Sequence, residues 1–309
     1  MLRQRGKKNA LNPNRPYGWF LEKERSADGR IVDGLTVFLT NKECPWRCLM
    51  CDLWQNTLDE IVTSGAIIEQ IDFALEQAEK EMGSLAKLHQ IKLYNAGSFF
   101  DEKAIPSTED NDIAKRIAKF DRVIVECHPS LVGKRCLQFN DAISGKLEVA
   151  LGLETIHPEA LAKLNKQVSL EDFSNAAVML KKNKIDLRSF VLLQPPFVPE
   201  TDSVEWAKRS VEFSFDCGAT ASCIIPTRTG NGALDVLAEA GQFKEPTLDQ
   251  LETVMDATVG NPSHRVFADL WDLDRFSSCP LCLLSRKRRL EEQNHSQVVL
   301  GKIICACRH

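Results

Sequence analysis

From Leu35 to Thr258 the chain alternates apolar runs of strand length with stretches of helical periodicity, and this alternation restricts the fold more than any other feature. Leu35 to Leu39, Gln90 to Tyr94, Arg122 to Cys127, Leu147 to Leu153, Ile185 to Leu193 and Ala219 to Ile225 read as strands. Ala66 to Glu81, Asp112 to Lys119, Pro158 to Leu164, Leu170 to Lys182, Val204 to Asp216 and Leu248 to Thr258 read as helices. The first of these helices puts Ile67, Ile71, Ala74, Leu75 and Ala78 on one face and stops at Gly83. Strand–helix units in series predict a parallel sheet covered by helices. Six units are too few for a closed eight-stranded barrel. They fit an open partial barrel, and equally a doubly wound sheet. Several strands run into polar turns: Asn95-Ala96-Gly97-Ser98, His128-Pro129, Glu154-Thr155, Gln194-Pro195-Pro196 and Pro226-Thr227-Arg228. In folds of this class such turns gather at one rim, where ligands bind.

Directly after the first strand stands Asn-Lys-Glu-Cys-Pro-Trp-Arg-Cys-Leu-Met-Cys-Asp-Leu-Trp, residues 41 to 54. Cys44, Cys48 and Cys51, spaced C-x3-C-x2-C, can face one point. Three thiols this close leave one over from any disulfide. Clustered thiolates suit soft metals and iron–sulfur clusters. Three are one short for a four-iron cube, so the fourth iron stays open to a ligand from outside the protein.

The spacing, its position after strand one and the β/α units resemble the radical S-adenosylmethionine (SAM) superfamily across residues 33 to 260. The resemblance implies a partial (β/α)6 barrel, a [4Fe-4S] cluster on Cys44, Cys48 and Cys51, and SAM on the open iron. It implies reductive cleavage of SAM to a 5′-deoxyadenosyl radical that takes hydrogen from an unactivated carbon, with a flavodoxin or ferredoxin as electron donor. In the superfamily an aromatic residue before the third cysteine often packs near the adenine; here that residue is Met50. The turn after strand two, with Gly97 and Ser98, matches the one that receives the methionine amino group. Gly152-Leu-Glu154-Thr and the following Leu164-Asn165-Lys166 resemble the elongator-acetyltransferase-like branch. There Glu154 would accept from ribose hydroxyls or the methionine ammonium. Arg188 on strand five would position a carboxylate. Gly-Ser-Phe after strand two, Gly-Leu-Glu-Thr and Pro-Pro-Phe after strand five together resemble the radical subunits of archaeosine synthases. Those enzymes cleave a C–N bond while finishing a modified guanosine in tRNA. No catalytic side chain is assigned.

Two flanking segments differ in composition. Residues 1 to 32 form a basic arm, with Arg3, Arg5, Lys7, Lys8 and Arg15 before the first acid, Glu22. Residues 261 to 309 form a small cysteine-rich module, Cys279-x2-Cys282 and Cys305-x-Cys307 around Arg286-Lys-Arg-Arg289. Paired thiols of this kind fit a structural zinc, a second iron–sulfur cluster or unligated thiols. The basic runs read as solvated faces or as contacts to tRNA phosphates. Cys127, Cys136, Cys217 and Cys223 lack ligand spacing and read as small buried apolar groups. A net charge of −4 argues against a uniformly basic nucleic-acid binder. Eleven cysteines without a secretory signal point to a reducing compartment, the cytoplasm. No run of 18 apolar residues suggests a membrane span.

Overall fold

The computed structural model describes residues 4–305. Its centre is one eight-stranded sheet in sequential order. The strands are β1 (Gly18–Arg25), β2 (Ile31–Leu39), β3 (Leu88–Asn95), β4 (Arg122–Cys127), β5 (Lys146–Glu154), β6 (Asp186–Leu193), β7 (Ala221–Pro226) and β8 (Arg265–Ala268). β1 pairs with β2 antiparallel, and every later pairing is parallel. The helices are α1 (Ala66–Met82), α2 (Asp110–Arg116), α3 (Lys134–Ala142), α4 (Pro158–Lys163), α5 (Leu170–Lys182), α6 (Ser203–Asp216), α7 (Ala233–Glu239), α8 (Leu248–Thr258) and α9 (Pro280–Ser296). The sheet is a curled, open half-barrel with helices on its convex side, which decides between the two architectures left open above.

Strand alternation sorts the side chains. On β2, Leu35, Val37 and Leu39 face the helices and are fully buried with Ile67, Ile71 and Ala74 of α1. Each fully buried Leu or Ile contributes about 1.5–3 kcal/mol. α1 ends as its sequence requires: Gly83 adopts φ 74° and donates its N–H to the Glu79 carbonyl.

The alternate residues line the barrel lumen. Its lower half holds a buried ion network. Arg188 of β6 donates from Nε to Glu148 of β5 (2.6 Å) and from its two terminal nitrogens to Glu24 of β1 (2.6 and 2.9 Å). Lys92 of β3 pairs with Glu24 (2.5 Å) and Glu22 (2.8 Å). Arg122 and Arg265 close on Glu148 at 2.7 and 3.0 Å. Despite burial, these cations hold Glu24 and Glu148 well below the usual carboxylate range. The upper half is aromatic: Phe38, Tyr94 and Phe190 follow one another at 6.3 and 6.1 Å.

Both flanking segments are built into this body. Residues 18–25, expected within the basic arm, are β1. Residues 265–268, expected within the C-terminal module, are β8. α9 packs on both β8 and β1, the two edges of the sheet. Arg25 donates to the His295 carbonyl (3.0 Å), and the amide of Asn294 brackets Ala268 (2.8 and 2.9 Å). Among the described residues no helix is long and apolar enough to cross a membrane.

Candidate cofactor site

The parallel strands carry their polar ends to one rim, and the cysteine loop lies there. Cys44, Cys48 and Cys51 line a common small cavity with Arg5, Glu43, Arg47, Trp54, Thr57 and Ala96. Burial pushes all three thiols up, Cys48 to about 11.

The loop is held by three neighbouring turns. After β3, Gly97 has φ 147°, and a Cβ there would stand 3.3 Å from the Cys44 Cβ. The turn therefore needs glycine both for its backbone and for its approach to the first cysteine. After α4, Asn165 donates to the carbonyls of Trp46 (3.1 Å) and Arg47 (3.2 Å), and the Leu49 N–H donates to the Leu164 carbonyl (2.8 Å). After β7, Asn231 donates to the carbonyls of Leu49 (2.8 Å) and Cys51 (3.2 Å).

A stacked pair adds to this. Trp46, between the first two cysteines, lies on the His128 ring at 3.8 Å and 10°. His128 Nε2 is 3.1 Å from the Lys166 carbonyl, which can only accept, so Nε2 carries the proton. Nδ1 then accepts from the Ser130 N–H (3.3 Å). Burial lowers this imidazole to about 4, so it is neutral at physiological pH.

Beside the thiols stands a buried ion pair, Lys166 with Glu154. Glu154 has φ 64° at a register shift in β5, strain stored at the rim. Gly152 leaves room for the pair: a Cβ on it would collide with both Glu154 Oε1 and Lys166 Nζ. Glu126, at the lumen end of β4, is pushed up to about 8, first by burial and further by Glu154; the Asn95 N–H opposes this by donating to it.

The orphaned polar atoms at this rim test whether the site fits a polar cofactor. Both side-chain polar atoms of Asn95 are buried without a hydrogen-bond partner, as are Asn41 Oδ1, Gln194 Oε1 and Thr227 Oγ1. Asn95 ends β3 and the others sit just after β2, β6 and β7, around the mouth that the thiols overlook. Unsatisfied buried polar atoms are costly, and their gathering here suits a ligand rich in amino, carboxylate and hydroxyl groups. Three thiols beside them suit an iron–sulfur cluster.

Not every residue expected at the site is brought to it. Gly97 and Glu154 are. Ser98 is adjacent, but its hydroxyl accepts from the His128 N–H (3.2 Å) and lies 3.5 Å from the Cys127 sulfur, so it braces the turn. Met50 packs with Phe197 and Leu237 against the patch of Leu49, Leu234 and Phe243, where it can give apolar contact to a ligand. Arg188 is a correction: it lies low in the lumen, 1% exposed, with its donors turned to Glu24 and Glu148. A strand-end role would need it four or more residues further along β6. The basic runs are also reassigned in part. Arg5 pairs with Glu43 (2.7 Å) and Lys8 with Glu43 and Asp59 (2.9 and 2.7 Å), roofing the cysteine loop. Arg286 and Arg289 are buried against Glu252 and Asp256 of α8 (2.8 and 2.6 Å); Lys287 and Arg288 are exposed. Cys279, Cys282 and Cys305 come together, while Cys307 lies outside the described residues.

No protein-family model matches the chain. Its fold is similar to that of methylornithine synthase, with a TM-score of 0.55 and 15% identity over 84% of this chain and 69% of that one. It is also similar to the archaeal Elp3 of Methanocaldococcus infernus, with a TM-score of 0.54 and 14% identity over 84% of this chain and 63% of that one. Both share the partial barrel of the radical SAM fold. The chain has the radical SAM fold. Among sequence relatives, archaeosine synthase subunit beta of Methanosarcina acetivorans is 25% identical over 87% of this chain and 79% of its own. The subunit of that name from Thermococcus kodakarensis is 27% identical over 72% and 69%. An uncharacterized protein of Methanocaldococcus jannaschii is 24% identical over 85% and 75%. The structure sets the cysteine loop expected to hold a cluster beside the expected Gly97 turn. Asn165 and Lys166 stand in the Leu-Asn-Lys string, Asn231 in the polar segment after Pro226 and His128 in a strand-end turn, but that they hold the cysteine loop shows only in the fold.

Proposed function

We propose that this chain is a radical SAM enzyme that modifies a nucleoside of tRNA, in the manner of the archaeosine synthase relatives. The observation that carries the reading is the common cavity of Cys44, Cys48 and Cys51 against the Gly97 turn, at the rim of a partial barrel.

Those three thiols would hold a [4Fe-4S] cluster. When bound, the cluster and SAM supply a 5′-deoxyadenosyl radical that removes hydrogen from an unactivated carbon. The chain's own residues do the rest. The Gly97 backbone and the Asn95 amide would receive the methionine end. Glu154 would accept from its ammonium or from the ribose hydroxyls, and Lys166 fixes that carboxylate and keeps positive charge beside the thiolates. Met50 would lie near the adenine. The aromatic lumen of Phe38, Tyr94 and Phe190 would exclude water from the radical's path. A flavodoxin- or ferredoxin-type donor would deliver the electron. The relatives' names, and the exposed Lys287 and Arg288, support tRNA as substrate.

Anaerobic reconstitution tests the cluster: about four irons and four sulfides per chain are expected in addition to any metal of the C-terminal thiols, lost when Cys44, Cys48 or Cys51 becomes Ala. For the substrate, unmodified tRNA should bind with an affinity that falls steeply with salt, and Lys287→Glu with Arg288→Glu should weaken it. Binding of a small metabolite with no affinity for tRNA would contradict the substrate half alone.

A further inference from the structure

Cys279, Cys282 and Cys305 form a second thiol site far along the chain from the radical motif. Among the described residues they are the only three metal-ligating side chains whose donor atoms all lie within 4.8 Å of one another. Cys279 and Cys282 are buried, and the Cys279 and Cys305 sulfurs are 3.9 Å apart. A zinc–sulfur bond of about 2.3 Å in a tetrahedron places sulfurs about 3.8 Å apart. A four-iron cube binds each thiolate through a different iron and spreads them wider. The Cys279–Cys305 separation is thus that of two ligands on a single ion.

The surroundings give that ion something to hold. Cys279 caps the start of α9 and Cys282 lies in its first turn. From Gln297 the tail doubles back along the helix. Arg289 donates to the carbonyls of Leu300 (2.7 Å) and Gly301 (2.9 Å) on the way, and Cys305 returns to the helix start. The tail itself has little core: Val298, Val299 and Ile304 are exposed. A segment with so few apolar contacts is held in place by ligand bonds instead.

We infer that Cys279, Cys282 and Cys305 bind one structural zinc ion that fastens the tail to the start of α9, the helix that spans both edges of the sheet. The site is independent of the radical chemistry and stands if that reading fails.

The test uses the full chain with Cys44, Cys48 and Cys51 all changed to Ala, purified without added metal. About one zinc per chain is expected. Adding Cys305→Ser should reduce zinc retained against a chelator at least tenfold and open residues 297–305 to proteolysis while the barrel resists. Should that variant not fold, the wild-type chain refilled with cobalt should show the intense visible bands and sulfur-to-metal charge transfer of a tetrahedral thiolate site. Iron and sulfide at these cysteines would overturn the inference in favour of a cluster. A metal-free Cys279–Cys305 disulfide, or cobalt bands of a six-coordinate ion, would overturn it as well.

Discussion

His128 and Glu126 are the residues on which the account makes its sharpest demands. His128 makes no hydrogen bond to Cys44, Cys48 or Cys51, yet its ring carries Trp46 and its Nε2–H reaches the Lys166 carbonyl. His128→Ala should therefore cut iron retention several-fold during dilution of the reconstituted protein. His128→Phe, which keeps the stack and loses the hydrogen bond, should recover part of it. Equal iron retention in all three proteins would remove His128 from the account. Glu126 yields a pH prediction. Its folded pKa, about 8, lies above its ordinary 4.5. The folded state then binds the extra proton between those values. Its contribution to stability is complete below pH 4.5 and lost as the pH rises through 8. Against wild type, Glu126→Gln should show a gain in melting temperature that grows from pH 5 to 8.5; parallel profiles would refute the assignment.

At the scale of elements, the lower lumen is closed by charge. Glu148 receives Arg122, Arg188 and Arg265 from three other strands, and Glu24 carries β1 into the same network. Removing one partner leaves buried charges uncompensated, so Arg188→Ala should cost about 3–5 kcal/mol in denaturant unfolding. The iron content of the folded fraction should not change, which separates this role from cofactor binding. The same network explains what the sequence concealed. β1 reads Gly-Trp-Phe-Leu-Glu-Lys-Glu-Arg, a charged end to a basic arm, because its last two lumen-facing positions, Glu22 and Glu24, are acids rather than apolar residues. Periodicity of hydrophobicity cannot register a strand whose inner face is ionic. β8 is four residues long, too short to show a period. β4 was legible to the residue, because both of its faces are apolar for most of its length.

For the whole molecule, seven parallel strands and one antiparallel edge make an open half-barrel, and α9 lies across the two edges. The basic run on α9 looked like one feature in the sequence. The fold divides it by helical period: Arg286 and Arg289 turn inward to α8, and Lys287 and Arg288 turn outward. Arg289→Ala should thus lower stability, because it removes the cation beside the partly buried Asp256 and two hydrogen bonds to the tail carbonyls, whereas Lys287→Glu should leave the melting temperature within about 2 °C. The cysteine loop was legible because its chemistry lies in local spacing. The residues that hold it come from turns more than 40 positions away in the chain, and only the closing of the sheet brings them together. The measurement that tests the central claim most directly is SAM turnover by the reconstituted, reduced chain. The account predicts release of 5′-deoxyadenosine and methionine by wild type, abolished in Cys44→Ala, Cys48→Ala and Cys51→Ala and retained in Cys305→Ser. Intact SAM after incubation with a protein that holds its full iron and sulfide would contradict it.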